Sequence, residues 1–177
     1  ASNKYAIEVD GAQIRYVVAS KDGQREVVRE VTRTDLDAEY HFDMSLCHPG
    51  SKVTGIKLFS GSLSTNYTYD SLGRVIQSVE SNGLINQFEY DALGNLVTSK
   101  KIGELKPLDL TWTGLSGGVT VDGTTIAKTG GVDSWDGNAL SQQSIQNGEG
   151  FITFKAPVLD KHRSVGLTSD PSRTASY

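Results

Sequence analysis

The sequence predicts an all-β fold, and three observations carry the prediction. A nine-residue phrase, Tyr67-Thr68-Tyr69-Asp70-Ser71-Leu72-Gly73-Arg74-Val75, returns twenty-one residues later as Phe88-Glu89-Tyr90-Asp91-Ala92-Leu93-Gly94-Asn95-Leu96, and a fixed period of this size marks a repeat architecture. Elsewhere, short stretches alternate apolar and polar residues between Gly, Asn, Asp and Pro turn signals. The composition, 37% hydrophobic with 19 Gly and 1 Met, also favours strands over helices. Three parts are expected: an antiparallel β block over 1–60, two β-hairpin repeats over 61–107, and part of a jelly-roll type β-sandwich over 108–177.

In the first part, Lys4-Tyr5-Ala6-Ile7-Glu8-Val9 alternates and stops at Asp10-Gly11, a two-residue hairpin signal. Gln13–Ala19 follows and is stopped by Lys21-Asp22-Gly23-Gln24. Glu26–Thr32 is ambiguous, because Val27 and Val31 also fit a helical spacing; its β-branched content favours a strand. Tyr40, Phe42 and Met44 alternate with His41, Asp43 and Ser45, and Lys52–Phe59 closes the block after the His48-Pro49-Gly50 turn. The expectation is an antiparallel meander with one wet face. Ser60–Thr65 is a polar joint too short for a flexible tether, which places the parts in contact.

Each repeat reads as one hairpin. Tyr67 with Tyr69, and Phe88 with Tyr90, fall on one face of a strand by alternation. Asp-x-Leu-Gly supplies a turn, since Asp bonds its own backbone and Gly tolerates positive φ. Val75–Val79 and Leu96–Thr98 return, and Ser81-Asn82-Gly83 makes the next corner. Tyr67, Tyr69, Leu72, Gly73, Phe88, Tyr90, Leu93 and Gly94 are the expected repeat core. Over Tyr-x-Tyr-Asp-x-Leu-Gly-Arg-Val, x-Asn-Gly and Phe-x-Tyr-Asp-Ala-Leu-Gly-Asn-Leu, the chain resembles the YD-repeat, or RHS-repeat, proteins. Arg74 keeps that family's usual Arg, whereas Asn95 replaces it in the second copy. The resemblance implies a bacterial secreted or cell-surface protein, often a polymorphic toxin, whose many repeats spiral into a β-shell around a cargo. Two copies enclose nothing, so the implied role here is a spacer or platform in a larger polypeptide. Lys100–Pro107 forms the second boundary.

From Leu108 the composition shifts, with ten of the 19 Gly in the last seventy residues. Leu110-Thr111-Trp112, Gly118–Val121, Thr124–Lys128, Gly150–Ala156 and Arg163–Leu167 read as short strands, the spacing of a sandwich or jelly roll. The pattern Thr111-Trp112, Val119-x-Val121-Asp122-Gly123, Thr129-Gly130-Gly131, Ser134-Trp135-Asp136, Gly150-Phe151-Ile152-Thr153-Phe154 and Val165-Gly166-Leu167 is similar to lectin-like β-sandwich modules of large bacterial surface proteins. Such modules continue with further strands, so a sandwich cut before completion, with an open edge, is expected.

The chemistry follows from what is present. Net charge is −4 and evenly spread, without the basic excess that nucleic-acid or anionic-membrane binding needs. No run approaches the ~18 apolar residues of a membrane helix. The start at Ala1, without Met and with polar Ser2-Asn3-Lys4, reads as a processed or excised fragment whose export signal lies upstream. Cys47, alone, reads as a small buried apolar residue. In the loop Asp133-Ser134-Trp135-Asp136-Gly137-Asn138, an indole face beside acids and an amide is the set that stacks on sugar C–H groups and accepts from hydroxyls. Trp135, Asp133, Asp136 and Asn138 are therefore the ligand-binding candidates. The competing reading makes Trp135 and Trp112 core residues of a small sandwich. Asp133, Asp136 and Asn138 lack the Asp-x-Asp-x-Asp-Gly order of a calcium loop. His41, Cys47 and His48 lack zinc spacing, and Asp160, His162 and Ser164 lack a nucleophile elbow. No catalytic residue, metal or cofactor is expected. The expected function is a non-catalytic structural or adhesive segment of a large secreted or cell-surface RHS-repeat protein. Its expected partners are the rest of that polypeptide and a surface glycan or protein. The alternative is a fragment of a polymorphic-toxin shell that travels with an effector.

Overall fold

The structure, a computed structural model, describes residues 4–172 apart from 21, 23, 61–64, 81–83, 104–105, 147 and 159. All of its regular structure is antiparallel β. The strands are β1 (Lys4–Asp10), β2 (Gln13–Ala19), β3 (Arg25–Thr32), β4 (Tyr40–Leu46), β5 (Lys52–Ser60), β6 (Thr65–Tyr69), β7 (Val75–Glu80) and β8 (Ile85–Tyr90). They continue as β9 (Leu96–Ile102), β10 (Trp112–Thr113), β11 (Val119–Asp122), β12 (Thr125–Lys128), β13 (Gly137–Ile145), β14 (Glu149–Lys155) and β15 (Arg163–Thr168). Among the described residues no helix is long and apolar enough to cross a membrane.

Three sheets form. A seven-stranded sheet has the order β11-β12-β5-β14-β1-β2-β3, a four-stranded sheet the order β10-β13-β4-β15, and a second four-stranded sheet the order β6-β7-β8-β9. The first two face each other as a sandwich. Alternation explains the core: Ile7, Val9, Ile14, Ile56, Leu58, Ile152 and Phe154 from one sheet meet Phe42, Met44, Leu46, Ala139 and Ile145 from the other. Trp112 packs edge-on against Phe42 at 6.2 Å between ring centroids, which makes it a core residue.

The sandwich departs from the sequence expectation in two ways. The first part is not a single meander: β1, β2 and β3 are consecutive neighbours, but β4 belongs to the opposite sheet and β14 lies between β5 and β1. The reason is visible in β4, where Phe42 through Leu46 are all buried, so this strand needs cover on both faces. Nor do residues 108–177 form a lectin-like sandwich of their own. Their strands pair with those of 1–60, with β12 and β14 on β5, β14 on β1, and β13 and β15 on either side of β4. The central strand β13 escaped the sequence reading because Asn138, Ser141, Gln142 and Gln143 form strands poorly. Its pairing also shifts register between Leu140 and Ser144.

The third sheet is an insertion. The chain leaves the sandwich at the end of β5 and rejoins it where the Leu108 N–H donates to the Leu58 carbonyl at 2.8 Å. Parts of the joint at 60–65, the corner Ser81-Asn82-Gly83, parts of the turn at 21–24 and the tail beyond Ser172 lie outside the described residues.

Candidate functional site

The loop between β12 and β13 is built around a buried cation. On β12, Ile126 and Lys128 both point inward and both are fully buried. The Lys128 ammonium donates to the carbonyls of Cys47 (2.8 Å), Val132 (2.7 Å) and Ser134 (2.9 Å) and to Asp136 Oδ1. Buried charge is tolerated only with such partners. The Lys128 bond holds the Asp136 carboxyl below its ordinary pKa, against the opposing effect of desolvation.

This arrangement separates the four predicted ligand-binding residues. Asp136 is engaged by Lys128. Asn138 lies on β13, its Nδ2 donating to Ser116 Oγ at 3.1 Å while its Oδ1 is buried without a hydrogen-bond partner. Asp133 is exposed. Trp135 is 38% exposed, and its ring lies 6.5 Å from that of His162 at 12° between planes. His162 in turn meets His48 edge-on at 4.9 Å. The sequence reading missed Lys128, although its alternation with Ile126 marked it for the apolar face. It also did not place His162 beside Trp135, a pairing made only in the fold.

The two turns of the inserted sheet are near copies of each other. Asp70 Oδ1 accepts from the N–H groups of Leu72 and Arg74, both at 2.9 Å, and Gly73 N–H donates to the Asp70 carbonyl at 3.0 Å. Asp91 Oδ1 accepts from Leu93 (2.9 Å) and Asn95 (2.8 Å), and Gly94 N–H donates to the Asp91 carbonyl at 3.0 Å. Gly73 and Gly94 take φ of 76° and 88°, a conformation that side chains disfavour. Residues 69–101 match the RHS repeat family. The inserted sheet is similar to an RHS repeat over those residues. Neither the search of curated proteins nor that of solved structures finds a match to the chain.

Within the inserted sheet, Arg74 is the link between the two copies of the turn. Its guanidinium pairs with Asp70 at 2.7 Å, reaches the Asp91 carbonyl at 3.4 Å, and lies 4.8 Å above the Tyr90 ring, whose hydroxyl donates to the Val75 carbonyl at 2.9 Å. Asn95 keeps only the local bond, from Nδ2 to Asp91 Oδ2 at 2.9 Å. The backbone N–H of Arg74 chiefly holds the Asp70 carboxyl below its ordinary pKa, and the Asn95 side chain does so for Asp91.

The register puts Tyr67, Ser78, Asn86 and Lys101 in one row, so alternation carries Tyr69, Phe88 and Tyr90 onto the same face. That face is largely uncovered. Tyr67 and Tyr69 are exposed, and Leu72 and Leu93, expected in a repeat core, are 74% and 89% exposed. The two leucines sit at turn tips beyond the reach of any neighbouring strand. Phe88 and Tyr90 are half-buried.

Among the described residues no three His, Cys, Asp or Glu side chains converge to hold a metal ion. Cys47 is buried, and His41 is bonded through Nδ1 to the Ser141 carbonyl at 2.9 Å.

Proposed function

We propose that this chain is a non-catalytic structural and adhesive segment of a larger secreted or cell-surface RHS-repeat protein. In this reading the sandwich is the presented module, and the repeat sheet contacts the rest of the parent polypeptide. The observation that carries it is the uncovered repeat sheet. Tyr67, Tyr69, Leu72, Leu93, Leu96 and Val97 are all more than half exposed, and large apolar side chains left uncovered on one small sheet support an interaction face. Strand β9 is exposed along nearly its whole length and leaves one ladder of backbone groups free for a partner.

The test is hydrogen exchange of the Thr65–Tyr69 and Leu96–Ile102 amides, in this chain and in a longer piece of its parent. Protection of these strands should rise in the longer piece. Unchanged exchange at both would refute the platform reading. The adhesive part is supported by the exposed Trp135 and is tested by a glycan array of the intact chain, on which the absence of any bound sugar would refute it.

A further inference from the structure

At one end of the sandwich the two sheets part around a stacked pair, Tyr5 and Phe154, whose rings lie 5.5 Å apart at 13°. A cleft of about 400 Å³ opens there, floored by Tyr5, Phe154 and Val165 and walled by Trp135, His162 and Arg163. Ligand pockets generally span about 300–1,000 Å³, so this one suits a ligand of one or two sugar rings. The wall is braced from behind. His162 contacts both Trp135 and His48, and its carbonyl accepts from the Cys47 N–H at 3.1 Å and Ser51 Oγ at 3.2 Å.

Arg163 is the unusual member. It faces inward on β15, opposite Leu46, and burial lowers its pKa from the ordinary value. One terminal nitrogen donates to the Lys161 carbonyl at 2.7 Å, while Nε is buried with no hydrogen-bond partner. Among the described residues neither Arg163 nor Lys161 forms an ion pair; Asp160 acts on Arg163 only from a greater distance. A partly desolvated cation without an ion pair, beside an apolar floor, is stabilised by an incoming anion.

The outer face of the sheet that holds Tyr5 and Phe154 carries separate charges. Tyr5 and Phe154 also line a second cleft, whose rim carries Lys4, Lys57 and Lys155. Lys4 and Lys155 sit directly opposite each other in the β1–β14 ladder, where like charges destabilise the free protein. Those lysines alternate with the core residues of their strands and so face away from the Trp135 cleft, whose own cations are Lys161 and Arg163.

We propose that the Trp135–Arg163 cleft binds a sugar ring that carries a carboxylate. The indole and imidazole wall lies against the C–H face of the ring, and Arg163 with Lys161 takes the carboxylate. The proposal rests on the adhesive reading above and names its ligand class.

The experiment titrates the full chain with trigalacturonate and, separately, with neutral maltotriose. Calorimetry and the indole N–H resonances of Trp135 and Trp112 are the readouts, with the core indole of Trp112 as internal control. Saturable shifts at Trp135 with the acidic sugar alone are expected. Arg163→Gln should weaken binding about tenfold or more, the loss expected for a hydrogen bond to a charged group. If Arg163→Gln melts too low to be compared, Lys161→Gln and added salt decide, and both should weaken binding. Affinity unchanged by salt and by Lys161→Gln would overturn the proposal. Equal binding of the neutral sugar at Trp135 would overturn the charge selectivity and leave the adhesive reading standing. A Trp135 resonance unmoved by either sugar would overturn the site, and the glycan array then shows independently whether the adhesive reading falls with it.

Discussion

Replacing Lys128 by Met is the most direct probe of what holds the β12–β13 loop to the sandwich. The Lys128 side chain has 0% exposure, so Met fills nearly the same volume without the charge. Of the four acceptors, the carbonyls of Cys47 and Val132 keep the Ser134 N–H, at 3.1 and 2.9 Å. Asp136, 43% exposed, can return to water. The Ser134 carbonyl loses the ammonium and the three charge-assisted carbonyl bonds vanish together. The expected cost is about 2–4 kcal/mol, which lowers the Tm of a chain this long by about 5–15 °C. Urea unfolding with an unchanged m-value would attribute the loss to the folded state. A Lys128→Met protein that melts with the parent would refute the reasoning, since the buried ammonium would then hold nothing. Asp136→Asn should cost less, because its amide oxygen still accepts from Lys128. The pH dependence has a definite sign. The Asp136 carboxyl is depressed by Lys128, so its contribution is complete above the ordinary carboxylate range and fades as pH falls through the lowered value. The stability gap between parent and Asp136→Asn should therefore close below about pH 4.

Other substitutions test other parts of the chain. Asp70→Ala should loosen the repeat sheet more than Asp91→Ala, because it also frees the Arg74 fork that joins the copies; hydrogen exchange over 65–102 reads the difference. Gly117→Ala should destabilise the sandwich severely, since a Cβ there would lie 2.4 Å from the Asp136 backbone, and a thermal melt measures it. Replacing residues 61–107 by a short Gly-Ser linker should leave the sandwich folded, because exit and re-entry are joined by the 2.8 Å bond from Leu108 to Leu58. The near-ultraviolet signal of Trp112 against Phe42 would persist in that variant; its loss would show that the sandwich depends on the insertion.

How far the sequence spoke depended on how local each feature was. The repeat turns were legible because every residue of Asp-x-Leu-Gly acts within four positions: Asp70 caps Leu72 and Arg74, and Gly73 supplies the positive φ. The strands β1 and β2 were legible from alternation and the Asp10-Gly11 turn. Strand β13 was not, because its weak strand formers are held by β4 and β10, partners distant in sequence. The Lys128 cage was hidden for a different reason: three of its four acceptors are backbone carbonyls, of residues 47, 132 and 134, which no side chain announces, and only Asp136 contributes a side chain. Leucines at turn tips misled in the opposite direction, because hydrophobicity alone does not show whether a neighbour exists to cover it.

The insertion also explains why the two repeat copies differ. Arg74 reaches forward onto the Asp91 carbonyl and the Tyr90 ring, so the first copy is tied to the second by a cation as well as by the β7–β8 ladder. Asn95, three atoms shorter in reach, bonds only its own Asp91, and after β9 the chain turns back toward the sandwich. A forward arm there would have no following copy to grip. The long guanidinium is thus present where a next turn exists within the insertion and absent where the insertion ends. What remains at the outer edge is β9, whose Leu96 and Val97 are exposed beside Lys100 and Lys101. Edge lysines of this kind discourage indiscriminate strand pairing. An edge that carries both apolar residues and lysines favours a partner that covers the former while bringing acids to the latter.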